Sequence, residues 1–249
     1  MATLAALLRG RTHDLSRHLP GAIHGDNRGV HQGRIASRRL REALPVAGAA
    51  KTASARARKT LRQITRALGP VRELDVALAH LEDGLAGAKI PRIAIERVRA
   101  HVQVERERRR EKMLARLERV DLAGAMKRME RIAAGTRPQF TPAALDALGR
   151  RVRGRALNLQ SAIERAGTLY HPDRLHAVRI AGKKLRYVLE VLRAASLAGV
   201  AADLRVLKRA QEVLGVMHDY QILLEHVAAV SDASPKGTPG AAGLRAMAA

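Results

Sequence analysis

The strongest constraint on the fold of this chain is an internal repeat of a basic motif. Residues 31–41, HQGRIASRRLR, recur 145 residues later at 176–186 as HAVRIAGKKLR. A second match follows in the same order, because residues 68–73, LGPVRE, correspond to residues 214–219, LGVMHD, at an offset of 146. Two matches at nearly one offset indicate a duplicated structural unit.

The repeat divides the chain into two related units, which we place at residues 1–90 and 139–231 with a charged connection at 91–138. Together they make one domain, residues 1–231, and a tail rich in Ser, Pro and Gly at 232–249 is predicted to be mobile. Helical periodicity dominates and no segment alternates as a strand does, so the predicted fold class is all-α. The predicted helices cover about 2–18, 27–44, 52–68, 70–81, 91–120, 121–134, 142–166, 172–195, 200–214 and 216–230.

The charge of the chain points to a polyanionic partner. There are 46 Lys and Arg against 23 Asp and Glu, a formal net charge of +23, but only three Tyr, one Phe and no Trp. Proteins that bind single-stranded nucleic acid stack its bases on aromatic rings, which this chain scarcely has. The absence of cysteine excludes disulfides and thiolate metal sites and fits a cytoplasmic protein. No apolar run reaches the length of a membrane span.

Each copy of the basic motif predicts a helix with two faces. At 100° per residue, His31, Arg34, Arg38 and Arg41 form one side, here named the first stripe, and Leu40 faces the opposite way toward a core. The second stripe comprises His176, Arg179, Lys183 and Arg186. Neither stripe contains an acid. Because like charges at this spacing destabilise a helix, the arrangement favours an external anion over a merely solvated surface.

Other repeated residues are secondary candidates. Arg62 and Arg66 share one helix face, and Arg205 and Lys208 are their positional counterparts. Glu73 and Asp219 are expected just after a turn, at a helix start, where a carboxylate could brace a neighbouring arginine. We predict no catalytic residue, no metal site and no cofactor. His218-Asp219 resembles the dipeptide of metal phosphohydrolases, but no supporting His or Asp cluster accompanies it.

At the repeated motifs the sequence resembles the CHAD domain, the conserved-histidine α-helical domain, over nearly the whole chain. The resemblance implies two similar antiparallel helical bundles related by pseudo-two-fold symmetry around a basic central cavity or groove. It also implies binding of inorganic polyphosphate and association with polyphosphate granules. The polyphosphate contacts carried over by motif position, or chosen as second rank, are His31, Arg34, Arg38, Arg39, Arg41, Arg62, Arg66, Arg72, His176, Arg179, Lys183, Lys184, Arg186, Arg205 and Lys208.

Three functions therefore stand as hypotheses. The first is non-enzymatic binding of polyphosphate by paired cationic stripes, because the triphosphate-hydrolysing domain that precedes some CHAD domains is not found ahead of the motif. The histidines predict tighter binding as the pH falls through about 6.5. The second is non-specific binding of nucleic acid through its phosphates, and the third, less favoured, is hydrolysis of polyphosphate or another phosphoester. The sequence predicts no oligomeric state.

Overall fold

The computed structural model describes residues 3–47, 51–83, 90–137, 139–168, 171–195, 199–235 and 238–248, and within them it contains helices and no strand. This confirms the all-α fold class. The α-helices are α1 (Leu4–Ile23), α2 (Asn27–Ala43), α3 (Lys51–Asp83), α4 (Arg92–Glu118), α5 (Leu122–Ala134), α6 (Pro142–Ala166), α7 (Pro172–Ala194), α8 (Val200–Asp232) and α9 (Ala241–Ala248), with a 3₁₀ turn at Leu44–Val46. None of these helices is long and apolar enough to cross a membrane.

The two basic repeats form the inner helices of the fold. Helix α2 packs between α1 and α3, and α7 packs in the same way between α6 and α8. The two sets meet where α2 contacts α7 and α3 contacts α8, while α4 and α5 connect them in sequence and pack against α3. The repeated helices α2 and α7 are therefore brought face to face.

The predicted apolar faces of both repeats are buried in one shared core. Leu40 of α2 and Val188 of α7 are both fully buried, and the same cluster holds residues of α1, α3, α5, α6 and α8. A smaller cluster lies among α3, α4, α8 and α9. Leu244 of α9 is completely buried in it, so a packed helix occupies part of the segment 232–249 that was predicted to be a mobile tail. Ala and Leu residues beyond the Gly and Pro positions supply the apolar side of this helix.

Three predicted helix ends are wrong. Helix α1 continues through Pro20, α3 runs unbroken through Gly69-Pro70, and α8 continues through Gly215. A proline removes one helical hydrogen bond and usually ends or kinks a helix. Here Leu68 and Val71 flank the proline and are fully buried, so core packing outweighs the local preference.

A close crossing fixes the corner between α1 and α2. Asp26 caps α2, since its carboxylate accepts hydrogen bonds from the amides of Arg28 at 3.1 Å and Gly29 at 2.8 Å. A Cβ atom at Gly29 would lie only 2.4 Å from the backbone nitrogen of Ala22. Glycine is therefore required for the two backbones to approach.

Ion pairs to two largely buried carboxylates join the two units across their contact. Glu190 of α7 accepts a 2.9 Å hydrogen bond from Arg39 of α2. Conversely, Glu42 of α2 accepts from Arg151 at 2.6 Å and from Arg155 at 3.0 Å, both on α6. The carboxylate of Glu42 is only 3% exposed, so these bonds compensate for its lost hydration.

The charged helix α4 is only partly the solvated helix that its mixed charges suggest. Glu105 and Arg109 do form an ion pair within the helix. Arg106, however, donates at 2.7 Å to Asp75 of α3, whose side chain is fully buried, and at 2.6 Å to Asn27 at the start of α2. This arginine therefore ties the connecting helix to the first unit.

Candidate functional site

A basic pocket lies where α2, α3, α7 and α8 meet. This central pocket has a volume of about 360 Å³, and both repeated units contribute to its wall. Its acidic side chains are Glu73, Glu212 and Asp219. Its basic and histidine side chains are His31, Arg34, Arg38, Arg72, Arg179, Lys183, Arg186, Lys208 and His218. Cations therefore outnumber carboxylates in the lining even when both histidines are neutral.

Matching arginine–carboxylate pairs occupy equivalent positions in the two units. Arg34 lies 3.7 Å from Glu73, and Arg179 lies 3.7 Å from Asp219. The predicted bracing of arginine by these two carboxylates is thus confirmed. The predicted reason is wrong, because both carboxylates lie inside continuous helices and not at helix starts, where the dipole would act.

Several guanidinium donors in the pocket are buried without a hydrogen-bond partner within the described residues. They are Nε and Nη1 of Arg34, Nε of Arg179 and Nε of Arg186. A buried donor without an acceptor costs about 1–3 kcal/mol, more when it is charged. Nε of Arg186 faces Glu190 at 3.6 Å, which is an ion pair but longer than a hydrogen bond. These nitrogens are almost fully covered, so small shifts of the arginine side chains would let oxygen atoms of an anion in the pocket supply the missing acceptors.

Burial and the crowding of cations lower the pKa of basic groups in the pocket. Burial, followed by the charges of Arg179, Arg38 and Arg34, lowers the pKa of Lys183 to about 7. Burial and the charge of Arg38 lower the pKa of Arg34 to about 10, against the opposing effect of Glu73. The pocket therefore holds more positive charge than its own carboxylates neutralise.

The histidines differ between the two units. Nδ1 of His176 lies 3.3 Å from Nδ1 of His218, whereas the residue equivalent to His218 in the first unit is Arg72, which lines the pocket with His31. Burial and neighbouring arginines lower the pKa of all three histidines, that of His218 to about 4. These imidazoles are therefore neutral at pH 7 in the unliganded protein.

A smaller cavity of about 110 Å³ adjoins the central pocket between α2 and α7. Arg38, Lys183 and Tyr187 line both spaces, so they form the boundary. Arg41 and Lys184 line only the smaller one, together with the buried carboxylate of Glu42. Arg41 and Lys184 are thus separated from the main pocket by one layer of side chains.

The predicted site residues consequently fall into groups. Those that line the central pocket are His31, Arg34, Arg38, Arg72, Arg179, Lys183, Arg186 and Lys208. Arg41 and Lys184 line the adjoining cavity, and His176 lies behind the pocket against His218. Arg39 points to Glu190 on the other side of α2, and Arg62, Arg66 and Arg205 are exposed outside the pocket wall.

Some pocket residues are not among the predicted contacts. Tyr187 follows the second stripe and is 4% exposed, and Gln211 is buried with Nε2 lacking a partner within the described residues. Gln211 is the counterpart of Thr65, which hydrogen-bonds Ser37 at 2.8 Å. The internal repeat could have pointed to both positions, but tyrosine and glutamine lack the positive charge on which the prediction of site residues was based.

Comparison with known proteins identifies the fold. The family model of the CHAD domain matches residues 6–228. The crystal structure of the CHAD domain from the plant Ricinus communis superimposes with a TM-score of 0.68 at 21% identity, covering 99% of this chain and 84% of that one. PptA from Streptomyces chartreusis superimposes with a TM-score of 0.71 at 19% identity, covering 100% of this chain and 93% of that one. No curated protein matches the chain.

Proposed function

The chain belongs to the CHAD domain family, and we propose that its central pocket binds inorganic polyphosphate without hydrolysing it. We further propose that this binding brings the protein to polyphosphate granules in the cytoplasm. The observation that carries the proposal is the convergence of Arg34 and Arg179, one from each unit, into one pocket with buried guanidinium nitrogens that have no hydrogen-bond partner within the described residues.

Linear polyphosphate supplies the anionic hydrogen-bond acceptors that this pocket lacks. Each phosphate presents anionic oxygens that accept charge-assisted hydrogen bonds from arginine. The oxygens repeat along the polymer, so cations spaced along α2 and α7 can engage successive units without reading a sequence. Release of condensed counterions adds to the affinity and makes it depend on salt.

Nucleic acid fits the pocket less well. The aromatic ring in the pocket wall, Tyr187, is buried and offers no free face for a base. Tyr220 stacks on His80 with ring centroids 5.0 Å apart, outside that wall. A ligand that consists of phosphates alone leaves no base to accommodate.

The decisive experiment is a salt-dependent titration of long-chain polyphosphate with the wild type and an Arg34→Ala/Arg179→Ala variant. Each lost charge-assisted contact is worth about 1.5–3 kcal/mol, so we expect an affinity loss of about 100-fold or more. The charge-matched control is Arg150→Ala/Arg153→Ala. These two exposed arginines lie on the side of α6 away from Arg151 and Arg155.

Three outcomes would contradict the proposal. Equal losses in the two double variants would show a diffuse attraction and no defined site. Displacement of polyphosphate by duplex DNA or RNA at equal phosphate concentration would favour nucleic-acid binding. Release of phosphate by the purified protein with magnesium would favour a phosphohydrolase. Circular dichroism of each variant establishes that it is folded.

A further inference from the structure

Helix α3 carries a series of basic residues, with no acidic residue among them, that leads away from the central pocket. Between Thr52 and Arg72 the chain contains no Asp or Glu. The corresponding part of α8 contains Asp203 and Glu212, so the feature belongs to the first unit alone. Its basic members are Arg56, Arg58, Lys59, Arg62, Arg66 and Arg72.

The middle of the series shares one side of the helix, while Arg56 and Arg72 at its ends lie about 90° and 110° around the axis to either side. Lys59, Arg62 and Arg66 lie within about 60° of one another around the axis, and all three are exposed. Arg58 is half-buried, and its pKa is lowered by burial and by the charge of Arg151. Arg72 stands at the end where the series reaches the central pocket.

The other end of the series opens into a second basic cavity. This cavity, of about 460 Å³, lies between the first turns of α3 and the end of α5. Arg56, Arg128 and Arg131 line it together with Thr52, Ala53, Ile132 and Gly135, and we name these three arginines the distal arginine cluster. Across the described residues, no carboxylate lies within ion-pairing distance of any of the three. Arg56 and Arg131 are exposed and Arg128 is half-buried, and Nε of Arg131 donates to the backbone carbonyl of Lys127 at 3.4 Å.

The distal arginine cluster is too far from the central pocket to belong to it. Arg56 and Arg72 are 16 positions apart on one continuous helix, which corresponds to about 24 Å at 1.5 Å per residue. A single phosphate or a triphosphate cannot span that length. A long linear polymer of phosphates can span it, and the exposed cations of α3 lie between the two sites.

We propose that the distal arginine cluster is a second anion site, and that one long polyphosphate chain occupies the central pocket, follows the exposed face of α3 and ends at this cluster. The inference rests on the proposed function of the central pocket. Tethering at the first site raises the effective concentration of the polymer at the second, so the cluster adds affinity for long chains only. The distal arginine cluster therefore makes the protein selective for long polyphosphate chains over short ones.

The test compares tripolyphosphate with long-chain polyphosphate on the full chain. Arg128→Gln/Arg131→Gln should lower the affinity for the long chain about tenfold and leave that for tripolyphosphate unchanged. The slope of log affinity against log salt should decrease by about 1.4 for the long chain, at ~0.7 per lost contact. Arg150→Gln/Arg153→Gln is the charge-matched control, and Arg128→Lys/Arg131→Lys should restore part of the affinity because it keeps the charge.

The outcomes separate this inference from the proposed function. If the wild type binds neither ligand at physiological salt, both fail. If the wild type binds both but the distal variant and its control lose the same affinity for the long chain, only the second site is refuted. If duplex DNA displaces the long chain from the wild type but not from the distal variant, the cluster is a surface for nucleic acid and the inference is also refuted.

Discussion

Lys183 makes a quantitative prediction about the effect of pH on binding. It lines both the central pocket and the adjoining cavity, and its pKa is lowered to about 7 by burial and by three surrounding arginines. At pH 8 its amine is therefore mostly neutral in the unliganded protein. A polyphosphate chain beside it would favour the charged form and raise its pKa.

The size and sign of the effect follow from proton linkage. Below pH 7 Lys183 is charged with or without ligand, so it contributes no pH dependence. Above pH 7 binding takes up close to one proton, and the affinity should fall by at most about tenfold for each pH unit until the pKa of the complex is reached. If the bound anion raises that pKa to about 9, the loss between pH 7 and pH 9 is about 25-fold, because Lys183 is half protonated in the free protein at pH 7 and in the complex at pH 9.

Isothermal titration of long-chain polyphosphate at pH 6, 7, 8 and 9 measures this dependence. Repeating the titration at pH 8 in buffers of different ionisation enthalpy counts the protons, and we expect about one for the wild type. Lys183→Arg is the control, since it keeps the positive charge throughout this range and should remove the proton uptake. A flat affinity from pH 7 to pH 9, or the same slope in Lys183→Arg, would refute the reasoning.

The unliganded protein should show the opposite trend in stability. The pKa of Lys183 is lower in the folded than in the unfolded chain, so the unfolded chain binds more protons between about pH 7 and 10. The contribution of this group to the free energy of unfolding should increase by about 1.4 kcal/mol per pH unit in that window. Denaturant unfolding of the wild type against Lys183→Arg isolates this contribution, and equal pH profiles would contradict it.

Three further predictions concern the supports of the site. Glu42→Ala leaves two arginines of α6 without their buried partner and should cost about 3–5 kcal/mol in urea unfolding; a loss below about 1 kcal/mol would contradict this. Glu73→Gln/Asp219→Asn removes two negative charges from the pocket and should tighten polyphosphate binding severalfold at low salt; weaker binding would show that bracing matters more than charge. Gly29→Ala forces a Cβ against the backbone of Ala22 and should destabilise the fold by about 1–3 kcal/mol or more; unchanged denaturation would disprove the close crossing.

The histidine prediction changes once the structure is considered. From the sequence, binding was expected to tighten as the pH falls through about 6.5. The pKa of His31, His176 and His218 is lowered in the unliganded protein, so their protonation on binding extends below that pH. Lys183 adds a second region of pH dependence above 7, which residue type alone does not predict because an ordinary lysine titrates near 10.5.

Much of the fold and part of the site could be predicted from periodicity and repetition. The face of α2 that buries Leu40 and presents Arg34 follows from the angular spacing of a helix, and α7 obeys the same pattern. The unbroken course of α3 through Pro70 could not be predicted, because burial of the neighbouring Leu68 and Val71 overrides a local signal.

The direction of individual arginines depends on partners that are distant in sequence. Arg39 lies in the basic motif, yet it pairs with Glu190, 151 residues away, and points out of the pocket. Arg34 belongs to the same motif, but its partner Glu73 lies 3.7 Å away and leaves two of its nitrogens unsatisfied. Motif membership is therefore insufficient to identify a binding residue, and the decisive property is whether the fold already satisfies the charge.

The same criterion explains how duplication can produce a site that neither unit forms alone. Arg34 with Glu73 and Arg179 with Asp219 are equivalent pairs, and each leaves buried donors without acceptors. Across the contact of α2 with α7, the charges of these two arginines lower the pKa of Lys183 in concert. In one unit alone, the basic stripe would be exposed to water and its cations would be hydrated. Only the paired units keep the cations partly desolvated, and a bound anion offsets the free-energy cost of that desolvation. Because both units contribute to it, we expect the affinity losses of Arg34→Ala and Arg179→Ala to be non-additive.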